Sequence, residues 1–84
     1  MSGNHSSVQL CPTIKTTIED AIAGATAEVS GGGGHYRIRV VSAVFEGKSM
    51  LQKQRLVYRA IAALMSGPDA PLHAVDELLT EVPA

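Results

Sequence analysis

Residues 45–59 open on Gly47-Lys48-Ser49 and carry four cations, Lys48, Lys53, Arg55 and Arg59. A Gly-Lys-Ser step can grip phosphate, but the full pattern G-x-x-x-x-G-K-[ST] is needed to form the backbone cradle. The first glycine is missing: position 42 is Ser42, and Val44 and Phe45 bring bulk into the loop. Nucleotide hydrolysis is therefore not expected. Gly47 reads as a turn and Ser49 as a helix cap. The run Gly31–Gly34 leads into a strand, so it lacks the setting of a dinucleotide loop.

The chain has three histidines. His5 lies in the N-terminal tail and is assigned no role. His35 follows the glycine run, and His73 follows a proline-containing loop. Without a C-x-x-C or H-x-x-x-H pair, a closed zinc site is not expected. Two imidazoles brought together by the fold would make half of a metal site. Thiolates from elsewhere would complete it, a donor set that suits an iron–sulfur centre. Ser42, Ser49 and Ser66 have no histidine close in sequence, and Cys11 lies near the tail, so no enzyme activity is expected.

These residues need elements to hold them. The chain has 84 residues, room for one small domain. Residues 1–11 read as a flexible tail and 12–84 as the domain, with Pro12 suited to a first helical position. Ile14, Ile18, Ala21, Ile22 and Ala25 recur at helical spacing. Ala27 to Ser30 is a short strand candidate, and Gly31–Gly34 is expected as the loop of a hairpin. In "HYRIRVVS", Tyr36, Ile38 and Val40 face one way and Arg37 and Arg39 the other. Ser49 and Gln52 form a capping-box pattern ahead of a helix over Met50 to Met65, with Val57, Ala60, Ile61, Leu64 and Met65 as its apolar stripe. Gly67 and Pro68 stop it. "LHAVDELLT" fits either a last strand or a short helix. The order gives an α+β domain with helices on one face of a small sheet.

Net charge is −1, but from Arg37 to Arg59 six cations stand with only Glu46. After Arg59 come four acids and no cation. This split suits a basic docking face, for protein or for nucleic acid. No apolar run approaches the ~18 residues of a membrane span. A single cysteine excludes an internal disulfide and fits an intracellular, reducing compartment. That is the cytoplasm, or a plastid or mitochondrion if a transit peptide has been removed.

The string "HYRIRVVSAVFEGKSMLQKQRLVY", followed by "LHAVDELLT", resembles the BolA family. The motifs that carry the resemblance are Val40-Val41-Ser42, Phe45-Glu46-Gly47-Lys48-Ser49, Arg55-Leu56-Val57-Tyr58 and Leu72-His73-Ala74. The wording is also similar to BolA domains attached to SufE-type sulfur-transfer proteins. The resemblance implies an αββααβ fold like a class II KH domain, with a three-stranded mixed sheet. It implies a non-enzymatic adaptor whose partner is a monothiol glutaredoxin of the CGFS type, with a glutathione-ligated [2Fe–2S] cluster shared between the two. His73 matches the histidine of the family's I/L-H-A motif, and His35 matches the histidine of members reading G-S-H-F. Arg37, Arg39, Lys48, Lys53, Arg55 and Arg59 are the candidate partner-binding residues. Alone the chain is expected as a monomer, with a homodimer as the alternative. KH-like nucleic-acid binding in transcriptional regulation ranks second, because no G-x-x-G joins two helices. A regulatory domain of a SufE-type protein is the third reading.

Overall fold

The computed structural model describes residues 6–84. His5 lies outside the described residues. The elements are α1 (Ser6–Ala21), β1 (Thr26–Gly32), β2 (His35–Val41), a 3-10 turn (Ala43–Phe45), α2 (Met50–Met65) and β3 (Ala74–Glu81). With the 3-10 turn as the middle helix, this is the expected αββααβ order.

The first helix departs from expectation at its start. It begins at Ser6, so residues 6–11 are helical and Pro12 sits inside the helix, not at its first position. An internal proline removes one intrahelical hydrogen bond. Leu10 and Cys11 pack against the core ahead of Pro12, and that tertiary contact favours the longer helix. Ile14, Ile18 and Ile22 form the buried stripe, while Ala21 is exposed.

β1 and β2 pair antiparallel, from Thr26↔Val41 to Gly32↔His35. The glycine run is only half loop. Gly31 and Gly32 close β1, and Gly33 and Gly34 form a two-residue turn with φ of +65° and +86°. Positive φ at both central positions is what the right-handed twist of the flanking strands requires, which is why glycine stands there. β2 then runs parallel to β3 after the crossover through α2, giving the order β1-β2-β3.

"LHAVDELLT" resolves as the strand β3. Its alternation looks broken because the register slips between Tyr36 and Arg37. Tyr36 pairs with Val75, but Ile38 pairs with Leu78 and Val40 with Thr80. Asp76 is the extra residue of a β-bulge, so Asp76 and Glu77 are both exposed.

Tyr36, Ile38 and Val40 are buried under Ile14, Ile18, Phe45, Val57, Ile61 and Leu72. The helices thus cover one sheet face and leave the other to solvent. Ser42 is fully buried at the end of β2 and fully satisfied: its Oγ donates to Ala23 O at 2.8 Å and accepts from Val44 N at 3.1 Å. Its backbone N–H reaches Glu81 O at 2.9 Å. The "VVS" serine is therefore a structural knot joining the end of α1, the 3-10 turn and β3.

Candidate docking surface and histidine site

Gly47 and Ser49 act as the sequence suggests. Gly47 turns with φ of +74°. Ser49 Oγ accepts from Gln52 N at 3.2 Å, and Gln52 Oε1 accepts from Ser49 N at 2.9 Å. The capping box is closed, and Phe45, just ahead of the turn, is wholly buried. The Gly-Lys-Ser step thus starts a helix; its lysine is left on the surface groove described below.

The six candidate docking cations do not form one surface. Lys48, Gln52, Arg55, Leu56 and Arg59 line a shallow groove of about 250 Å³ along α2. Lys53 is half-buried outside that groove. None of these cations has an acidic partner within the described residues. Arg37 and Arg39 stand on the open face of the sheet, away from α2. Arg39 bridges Glu28 at 3.3 Å and Glu81 at 2.9 Å, across both neighbouring strands. Those contacts hold the Glu81 carboxyl below its ordinary range and raise Arg39. Arg37 lies in register between Ser30 and Glu77. The positive run in sequence is therefore partly neutralised in space, because the sheet sets carboxylates of β1 and β3 beside the arginines of β2.

His35 and His73 both lie at one end of the sheet. His35 opens β2 and pairs with Ala74, next to His73. The backbone N–H groups of His73 and Ala74 both donate to Gly34 O, at 2.8 and 2.9 Å. A β-carbon on Gly34 would lie 2.8 Å from His73 Cγ and Cδ2, so the ring is bedded on the glycine. His73 itself is exposed and lines a cleft of about 490 Å³ with Leu10, Tyr36, Pro68 and Pro71. Burial pushes the Tyr36 phenol up in pKa. His35 is not among the walls of this cleft. It alternates with buried Tyr36 and is turned toward Asp76, with Nδ1 3.2 Å from Oδ1. Among the described residues no three His, Cys, Asp or Glu side chains converge as a metal site. The chain offers separate imidazoles at one rim, not a closed ligand set.

Sequence reasoning misses the parts that support these rings. In the sequence Gly34 is one of four equivalent glycines, and Asp76 is only one acid in a negative tail. The contact between Asp76 and His35 spans 41 positions and depends on the bulge, which no local pattern reveals.

The geometry defines a class: a small α+β domain with a three-stranded mixed sheet, helices on one face, and a histidine-bearing rim at one end of the sheet. No helix among the described residues is long and apolar enough to cross a membrane. The family model described as "BolA-like protein" matches residues 9–81, and the chain belongs to that family. "BolA-like protein 1" of Homo sapiens is 40% identical, with 66% of this chain and 47% of that protein covered. The chain thus spans about half the length of the curated relatives it matches. A bolA protein homologue from Coxiella burnetii superposes with a TM-score of 0.72 at 30% identity, covering 99% of this chain and 94% of its own. The BolA domain of SufE1 from Arabidopsis thaliana gives 0.67 at 23% identity, covering 88% and 92%, a likeness of fold alone.

Proposed function

We propose that the chain is a non-enzymatic adaptor that docks a monothiol glutaredoxin of the CGFS type. Through His73 it contributes one ligand to a glutathione-ligated [2Fe–2S] cluster shared by the two proteins. The observation that carries this reading is the setting of His73, exposed at its ring yet fixed at its backbone by two bonds to Gly34 and bedded on that glycine. A side chain held in this way loses little freedom when it binds.

The donor set fits a shared group. Neutral imidazole is a good ligand for iron. No group of three donors converges among the described residues, and in this reading the thiolates come from the partner and glutathione. When bound, the cluster supplies iron and sulfide for transfer and a redox-active centre. The chain's own work is to present His73 and to dock. Lys48, Arg55 and Arg59, with Lys53 beside them, form a cationic stripe that steers an acidic partner face. The stripe runs toward the end of α2, where Met65 and Gly67 share a second small cleft with His73.

Co-purification with a CGFS glutaredoxin tests the reading by visible absorption and circular dichroism. His73→Ala is expected to abolish or reshape the spectrum of the mixed complex. An unchanged spectrum overturns the ligand assignment. Nucleic-acid binding is the second reading, favoured by the same groove cations, which have no acidic partner among the described residues. It predicts affinity for DNA or RNA that outlasts a change from low to physiological salt, whereas generic attraction collapses.

A further inference from the structure

The geometry points to Asp76 as a positioning residue for His35, one that decides which ring nitrogen of His35 faces outward. Its use rests on the adaptor reading above; its existence does not. The bulge is the first observation. The β2–β3 ladder is in register at Tyr36↔Val75 and resumes at Arg37↔Glu77, so Asp76 faces no residue of β2. A bulge re-aims the side chain it releases. Here the released carboxylate comes to 3.2 Å from His35 Nδ1.

The second observation is exposure. The His35 and Asp76 side chains are 60% and 53% exposed, so the pair contributes little to folding. What the contact supplies is orientation. A carboxylate only accepts hydrogen bonds, so in the neutral ring Nδ1 must carry the proton. Nε2 then keeps its lone pair, on the side of the ring away from Asp76. The same carboxylate–histidine pairing orients imidazoles toward metals in general, by fixing the tautomer and raising the basicity of the free nitrogen. His35 is therefore poised to ligate through Nε2, as a second donor from this rim alongside His73.

The test begins on the metal-free chain. Nitrogen-15 NMR of the imidazole, at a pH where the ring is neutral, reads the tautomer directly. The expected result is an Nε2 shift of the unprotonated type for His35. Asp76→Ala should move it toward the protonated type, and Asp76→Asn, which keeps an acceptor oxygen, should hold it nearer the original. An Nε2–H tautomer in the unaltered chain, or one indifferent to Asp76→Ala, overturns the proposal. In the glutaredoxin complex, Asp76→Ala should shift the visible circular dichroism in the direction that His35→Ala shifts it. A spectrum altered by His73→Ala but by neither His35→Ala nor Asp76→Ala overturns the poised-ligand role and leaves the adaptor reading standing. A spectrum indifferent to His73→Ala, with the tautomer result intact, overturns the adaptor reading alone.

Discussion

Gly34 carries two constraints at once. Its φ of +86° belongs to the left-handed region, and the space a β-carbon needs is filled by the His73 ring. Gly34→Ala should therefore cost about 1–2 kcal/mol from backbone conformation alone, measured by urea unfolding. It should also displace the His73 ring, seen as a large chemical-shift change at that residue. Gly33→Ala gives the contrast, since a β-carbon there would meet nothing within 4 Å: it should carry a similar backbone cost but leave His73 in place. If both substitutions leave the His73 resonances unmoved, the glycine bed has no role. His73 is legible in the sequence because Leu-His-Ala is a short contiguous motif. The bedding of His73 and the pairing of His35 with Asp76 are not, because each joins residues more than thirty positions apart through a specific strand register.

At the scale of elements, α1 is latched to β1 by two side chains. Lys15 Nζ donates to Glu19 Oε2 at 2.6 Å and to Ala27 O at 2.9 Å, and Ala27 N donates to Glu19 Oε2 at 3.0 Å. The hydrogen bond from Lys15, then that from Ala27, holds the Glu19 carboxyl below its ordinary value of 4.5. The folded chain thus binds fewer protons than the unfolded chain near that pH. The latch is fully stabilising above pH 4.5 and is lost as pH falls through the lowered folded value. Thermal melts of the native chain should fall in this acid window, and Glu19→Gln should flatten the fall. A variant that keeps the full acid sensitivity removes Glu19 as its source. Elements fixed by local chemistry are legible in the sequence: β2 by strict alternation, α2 by its capping box and its Gly-Pro stop. Elements fixed by tertiary contact are not. The packing of Leu10 and Cys11 extends α1 across Pro12, and pairing with β2 draws Gly31 and Gly32 into β1. The bulge at Asp76 shifts the phase of β3 and hides its alternation.

Over the whole molecule, charge is sorted by face. The sheet's arginines stand among Glu28, Glu77 and Glu81, while the cations of α2 have no acidic partner among the described residues. Under the adaptor proposal, docking follows α2. Arg55→Glu with Arg59→Glu is expected to slow association with glutaredoxin about tenfold or more at low salt, with the difference shrinking as salt rises. Arg37→Glu should leave the rate nearly unchanged, as followed by stopped-flow fluorescence. Equal effects from both faces would mean that the partner reaches around the sheet. The turn at Gly33–Gly34 has a bearing on how such domains diversify. Hairpin tips are where small proteins usually accept extra residues without penalty. Here the tip's last carbonyl is the anchor for the histidine across the sheet, so loop length acts as a gauge. One inserted residue would spare the core and still misalign the rim: a well-folded chain whose histidine has lost its bearing.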